Sequence, residues 1–463
     1  MTKIIFAVPP CKSEKGHAQA TQNRQSQYFR DPTYIYPIIP ATFVSMLISE
    51  PGYECLWIDA VAEGLDDLEF GKVIVEMKPE WIVFESHTML IDRYYEIING
   101  IKENIPNIKI ILTGEHATAL PIEARDKCKA DYIFKGGKWY HEAFSLITGK
   151  RWDKQLPHIN RDVTRWWLYA YDNGNYKYTP ATYTMFSQDC WHRPGCKFCA
   201  WATYHEQTMT RSVDDCLNEI ESLINKGFVE FFDDSGTFPV GKWLKEFCDG
   251  MIERGYTKYI VWGCNMRFGA LSEDELKLMA KAGCRFILWG FESANQSTLD
   301  LLNKGLDVKR VPQDLIVSSQ LGIWNHLTVM FGYPWETLEE EKRTYEMVRW
   351  LLLEDWAASA QATVFMPYPG TEIYKHLDEE GLVLTKDWND WDMTKPVVKL
   401  KYDFKEVLKF QKGIYNIAWH WKFIWNKLKR IRSFSELKYY FRLSKKIFNR
   451  FGDVVDSGKV AVD

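Results

Sequence analysis

No apolar run in this chain reaches the roughly 18–20 residues that a membrane-spanning helix needs, so a bilayer crossing by that route is excluded. No export signal is visible at the start: Lys3-Ile-Ile-Phe-Ala-Val-Pro9 reads as a buried first strand. An excess of positive charge is also missing. The 463 residues sum to −4, so the chain as a whole is not built to bind nucleic acid. The ten cysteines are scattered, one trio apart, so a disulfide framework is not expected, and a reducing, cytoplasmic setting is. Tryptophan is abundant instead: twenty residues, suited to a large core or to pockets for flat or bulky ligands.

The length predicts two or three domains. Residues 1–150 alternate strand and helix. Strands are expected at Lys3–Val8, Glu54–Ile58, Trp81–Phe84, Ile108–Leu112 and Tyr132–Phe134, with a helix over Ile38–Ser49. Short apolar strands separated by helices predict a parallel, doubly wound, Rossmann-like sheet. Such sheets bind ligands at the carboxyl ends of their strands. Those ends carry Glu85-Ser86-His87, Thr113-Gly114-Glu115-His116 and Gly136-Gly137. Residues 151–180 read as an aromatic linker. From 181 to 400 the alternation restarts, with strands expected at 182–187, 228–233, 259–264, 285–291, 325–331 and 360–366 and helices such as Val213–Lys226 and Ser272–Ala282. Six such units predict a partial (β/α)6 barrel, open on one side because a closed one has eight. The open side would admit a large substrate or face the first domain.

Residues 401–463 form a basic helical region. Between 401 and 450 there are 14 Lys or Arg against 3 Asp or Glu, a local balance of +11 that leaves −15 for the rest. Aromatics are interleaved at Trp419, Trp421, Phe423, Trp425, Tyr439, Tyr440 and Phe441. The pattern predicts helices with one face on the barrel and a basic face in solvent. A partner-docking or membrane-surface role is the alternative. The last dozen residues read as a loose tail.

The chemistry centres on Gln188-Asp-Cys-Trp-His-Arg-Pro-Gly-Cys-Lys-Phe-Cys-Ala-Trp201, which follows the first barrel strand. Cys190, Cys196 and Cys199 can hold three irons of a 4Fe-4S cluster, leaving the fourth iron open to a ligand. On spacing alone, zinc with His192 or His205 as fourth ligand and unlinked core thiols stay open. The other strand ends also carry useful groups: Asp233-Asp234-Ser235 after the second, Arg267 after the third, Gly290-Phe-Glu292-Ser293 after the fourth, Gly332–Thr337 after the fifth and Phe365-Met-Pro367 after the sixth. Carboxylates there can accept from a cofactor amine or a ribose, and Arg267 can pair with a carboxylate. Any one of them could be a helix cap. Six in sequence at one rim are hard to explain that way.

The set resembles the radical S-adenosylmethionine enzymes that carry an N-terminal cobalamin-binding domain. The resemblance rests on the cysteine loop with Phe198 before its last cysteine, Asp233-Asp234, Met279–Cys284, Gly290–Ser293, Leu302-Asn-Lys-Gly305, Gly332–Thr337 and Pro369–Glu372. It implies a 4Fe-4S cluster on Cys190, Cys196 and Cys199 and S-adenosylmethionine held by Asp233, Asp234, Arg267 and Glu292, with the apolar Phe365 and Pro367 against its purine. It also implies cobalamin lined by Ser86, His87, Thr88, Gly114, His116, Gly136 and Gly137. The implied activity is C-methylation of an unactivated carbon through a 5′-deoxyadenosyl radical and methylcobalamin, fed by an electron donor such as ferredoxin or flavodoxin. The substrate could be a peptide or protein residue such as glutamine, or a small molecule. A radical cyclase or rearrangement enzyme without methyl transfer is the alternative, and a non-catalytic cobalamin or redox sensor is a third reading.

Two departures stand out. The cysteines are spaced by five and two residues rather than three and two. No histidine sits in an Asp-x-His-x-x-Gly pattern, and both His87 and His116 lack the Asp and the Gly. The resemblance therefore implies cobalt without a histidine below it, with His87 as part of the cofactor wall.

Overall fold

The computed structural model describes residues 1–463 except 14–15, 22–23, 30–33, 174, 189, 205–208, 432–435, 438 and 445–463. His205 and the expected loose tail lie outside the described residues.

The N-terminal half holds β1 (Thr2–Val8), β2 (Lys12–Ser13), β3 (Gly16–Thr21), β4 (Arg24–Phe29), β5 (Tyr53–Asp59), β6 (Trp81–Ser86), β7 (Lys109–Gly114) and β8 (Tyr132–Ile133). Five of them form a parallel sheet in the order β5-β1-β6-β7-β8. In β1, Ile5 and Ala7 join one apolar cluster while Ile4 and Phe6 join another. A strand buried on both faces has no polar face to show, which is why it reads as a continuous apolar run. The helix Ile38–Ile48 is likewise buried on nearly every side. The antiparallel ribbon β2-β3-β4 was not expected. Its strands are polar and short, and they carry no apolar alternation to signal them.

The second sheet holds β9 (Ala181–Thr184), β10 (Glu230–Asp233), β11 (Val261–Met266), β12 (Cys284–Glu292), β13 (Trp324–Phe331) and β14 (Ser359–Val364). All neighbours are parallel and in chain order, β9 to β14. This is the open (β/α)6 arrangement. One apolar cluster runs from the helix Ile38–Ile48 and Trp57 to Tyr183, Phe232 and Phe286. The two sheets thus share a core, and the barrel's open side faces the N-terminal half.

The helix Phe404–Asn416 covers the edge strand β14. Val407, Leu408 and Ile414 are buried in the interface, and Tyr415 Oη donates to the Ala362 carbonyl at 3.0 Å. An edge so covered cannot pair with another chain. The helix Trp421–Arg430 corrects the expectation of a basic face outward. Its polar side points in: Lys422 pairs with Glu354 at 2.6 Å, Lys427 with Asp355 at 2.9 Å and Arg430 with Asp355 at 2.7 Å. Trp421, Ile424, Trp425 and Leu428 point out, while Phe423 packs against the core. The acids Glu354 and Asp355, at the end of the helix Leu338–Leu353, draw the cations inward.

Candidate active site at the barrel mouth

The cysteine loop is positioned by hydrogen bonds to groups it faces. Asp233, at the end of β10, accepts from Phe186 N at 2.8 Å, Thr184 Oγ1 at 3.2 Å and Ser235 N at 3.2 Å. It is wholly buried, and burial pushes its carboxyl up to about 7. Asp233 therefore pins the chain as it leaves β9, rather than facing the open mouth. Asp234 N donates to Thr184 O at 2.8 Å, and its carboxylate accepts from Asn265 at 3.1 Å.

Past that anchor the loop is clamped by Leu302-Asn-Lys-Gly305. Lys197 N donates to Leu302 O at 3.0 Å, Asn303 Nδ2 donates to Gly195 O at 2.6 Å, and His192 Nε2 meets Asn303 O at 2.7 Å. Trp191 donates to Phe238 O at 3.0 Å, and Cys190 Sγ lies 3.1 Å from Thr237 Oγ1. The outcome is selective. Cys190, Cys196 and Cys199 are half-buried, while the other seven cysteines are buried. Burial pushes Cys11 and Cys55 up to about 12 and Cys128 up to about 11, which keeps those sulfurs protonated and inert.

Cations stand beside the trio. Arg267 Nη1 is 3.6 Å from Cys196 Sγ, and its other nitrogen donates to Lys304 O. Lys304 pairs with Glu292 at 2.6 Å, both side chains being only 9% exposed. Burial opposes the Lys304 charge, but Glu292 and Cys196 outweigh it and raise its affinity for the proton. A register shift between Gly290 and Glu292 breaks the β12–β13 ladder, and Glu292 takes φ +66°. Such a bulge re-aims a side chain. A Cβ at Gly290 would lie 2.6 Å from Lys304 Nζ, so glycine there leaves room for the pair.

Across from the loop stand the carboxyl ends of the N-terminal strands. At those ends is a cleft lined among others by Val8, Asp59, Glu85, His87 and Tyr169 and, from the barrel, by Asp234. Asp59 accepts from Ala62 N at 2.9 Å and Tyr169 Oη at 2.8 Å, and burial raises its carboxyl to about 6. Glu85 accepts from Trp139 at 3.2 Å and from Tyr204 at 3.3 Å. His87 Nδ1 lies 3.6 Å from Glu115, and the carboxylate keeps the imidazole's proton affinity raised despite burial. The rim is tied to the cysteine segment: Gly137 N donates to Tyr204 O at 2.7 Å.

Ser86 donates to Thr113 O at 2.7 Å, and Thr88 meets His116 Nδ1 at 3.3 Å. His116 is buried, 3.7 Å from Glu123 and edge-on to Trp388, so it faces the protein rather than the cleft. Gly114 takes φ +108°, and Gly136 N donates to Thr118 Oγ1 at 2.9 Å. Phe365 and Pro367 are buried, Phe365 against Tyr333 and Trp335. Sequence reasoning did not single out Lys304, Asn303 or Tyr169. The first two sit inside a motif it quoted, whereas Tyr169 lies in the irregular linker and carries no local signal.

Among the described residues no three His, Cys, Asp or Glu side chains converge on one point as a single ion requires. His192 is engaged with Asn303. A cubane would place each thiolate on a different iron. The Radical SAM superfamily model matches residues 184–348. Residues 184–348 thus carry a radical S-adenosylmethionine domain. It is 23% identical to an uncharacterised methyltransferase of Pyrococcus horikoshii over 432 residues, 86% of this chain and 88% of that one. It is 26% identical to the anaerobic magnesium-protoporphyrin IX monomethyl ester cyclase of Cereibacter sphaeroides, over 78% of this chain and 64% of that one. Among solved structures it shares the fold of OxsB, a cobalamin-dependent S-adenosylmethionine radical enzyme. The TM-score is 0.67 at 14% identity, covering 96% of this chain and 71% of that one. The radical S-adenosylmethionine match therefore falls on the segment that carries the cysteine trio, the Lys304 clamp and most of the rim.

Proposed function

We propose that this enzyme is a cobalamin-dependent C-methyltransferase acting on an unactivated carbon. The observation that carries the reading is the placement of three half-exposed thiols, flanked by Arg267 and Lys304, opposite the cleft at the end of the N-terminal sheet. The donor set fits the implied groups: soft thiolates for an iron–sulfur cluster, and a cleft at the carboxyl ends of a parallel sheet, where such sheets bind their ligands. When bound, the cluster with S-adenosylmethionine would supply a carbon radical and cobalamin would supply the methyl group.

The chain's own residues would do the placing. Cys190, Cys196 and Cys199 would hold the cluster. Arg267, next to Cys196, would offset thiolate charge, and Asp234 and Glu292 would accept from the cofactor's amine and ribose. Asp233 would act as a positioning residue for the loop. Asp59, Glu85 and His87 would line the cobalamin side with Ser86, Thr88, Gly114, Gly136 and Gly137. We divide the chain accordingly: 1–150 for cobalamin, 151–180 as linker, 181–400 for the radical chemistry and 401–463 as an appendage. A peptide residue such as glutamine and a small molecule are both reasonable acceptors to try. Similarity to a cyclase makes ring formation without methyl transfer the second reading.

The test is anaerobic incubation of reconstituted protein with cobalamin, methyl-labelled S-adenosylmethionine and a strong reductant. Labelled methylcobalamin together with 5′-deoxyadenosine and S-adenosylhomocysteine supports methyl transfer. 5′-Deoxyadenosine without cobalt methylation supports the cyclase. Neither product from cluster-loaded protein refutes the radical reading.

A further inference from the structure

The helix Trp421–Arg430 is amphipathic in the reverse of the usual sense. Its inner side is held by polar contacts: Lys427 and Arg430 on Asp355, Lys422 on Glu354, and Asn426 Nδ2 donating to Leu353 O at 3.1 Å. Its outer side carries Trp421, Ile424, Trp425 and Leu428, which are 40–72% exposed. Their spacing is i, i+3, i+4, i+7, which makes one continuous stripe. Trp419, just before the helix, is 54% exposed. Scattered apolar residues on a surface need no explanation, but a contiguous stripe marks a contact.

We propose that this helix seats the enzyme on an anionic lipid bilayer, lying in the interface without crossing it. Three features select that partner. Tryptophan side chains favour the depth where headgroups meet acyl chains. The helix itself has no acid, its three inward cations rest on Glu354 and Asp355 so that Lys429 faces out, and residues 401–450 carry +11 on a chain of −4, which matches anionic headgroups. Exposed Lys429 lies 5.3 Å over the Trp425 ring, so a cation accompanies the stripe to the surface. No described helix is long and apolar enough to cross a membrane, which agrees with a helix that lies flat.

The experiment is co-sedimentation of full-length reconstituted protein with vesicles of phosphatidylcholine and phosphatidylglycerol at 3:1. Matched vesicles with brominated acyl chains report tryptophan insertion by quenching. We expect binding and quenching that fall at least tenfold in W421S/W425S/L428S and weaken in K429E and at high salt. Circular dichroism of the variants should be unchanged, since Glu354 and Asp355 hold the helix from its other side. C196A, which removes the cluster site, should bind like the wild type, so failure of the proposed function leaves this test intact. Wild-type protein that stays in the supernatant at low salt overturns the proposal. So does a triple variant that binds as well as the wild type, or a wild-type dimer that the triple variant dissolves.

Discussion

Replacing Lys304 by Met should destabilise the barrel more than any surface substitution. The change keeps most of the side-chain length and removes the ammonium. Glu292 is then left 9% exposed, without its partner at 2.6 Å, and with its backbone held in the left-handed region at φ +66°. Removing one member of a buried ion pair costs roughly 3–5 kcal/mol, because the other charge stays desolvated. If the barrel of roughly 220 residues melts as a unit, its unfolding entropy at about 2.1 cal/mol/K per residue comes to about 0.5 kcal/mol/K. The expected drop in melting temperature is therefore about 6–11 °C, read by calorimetry or tryptophan fluorescence. The compensating variant K304M/E292Q removes the stranded charge and should recover at least half of the loss, a coupling that independent sites do not show. A drop in K304M smaller than about 2 °C, or a double variant no better than K304M alone, would refute the idea that this pair is a buried, coupled clamp on the cysteine loop.

Other consequences can be measured separately. C190A, C196A and C199A should each reconstitute with markedly less iron and sulfide than the wild type, whereas C216A, in the buried set, should load normally; iron analysis decides. Burial, with repulsion from Glu336, holds Glu341 up to about 8 against an ordinary 4.5. The folded state binds the extra proton between those values, so stability is full below about pH 4.5 and falls as pH rises through about 8. E341Q keeps an amide oxygen to accept from Gly332 N and Tyr333 N and should flatten that fall, as denaturant midpoints across pH would show. At Gly114 a Cβ would sit 2.3 Å from Ser86 O, which is backbone and cannot yield. G114A should therefore lose the N-terminal fold. G64A, at φ +71° with nothing within 4 Å, should cost only about 1 kcal/mol; limited proteolysis separates the two.

The strands that were most legible are apolar runs between turn residues, such as β1, β6 and β7, where burial on two faces leaves no other pattern. Strand ends then located the site: the cysteine loop after β9, Asp233-Asp234 after β10 and Glu292 after β12 all reach one mouth. What the pattern could not convey was direction. Asp233 and Asp234 are adjacent and alike in chemistry, yet one is pinned beneath the loop and the other lines the cleft. The bulge at Gly290–Glu292 turns a side chain in a way that no spacing rule states. The ribbon β2-β3-β4 has no apolar alternation to announce it. The C-terminal helix misled for a physical reason: aromatic content suggests burial only until acids on the neighbouring helix claim its cations.

That reversal bears on how the appendage relates to the site. The helix Phe404–Asn416 packs conventionally, with Val407 within 3.4–3.5 Å of where a side chain at Gly332 would begin. Gly332 opens the turn after β13, and its N–H is held by Glu341. Tyr402, just before the same helix, donates to that same carboxylate. The appendage therefore shares a buried acid with one of the rim turns, while Trp421–Arg430, a few residues on, grips Glu354 and Asp355 at the far end of the helix that carries Glu341. One helix, Leu338–Leu353, thus connects the barrel rim at its start to the exposed tryptophan stripe at its end. A surface engaged by the stripe would be fixed in orientation relative to the barrel mouth by a single rigid element, and a substrate delivered from that surface would meet the mouth in a set direction.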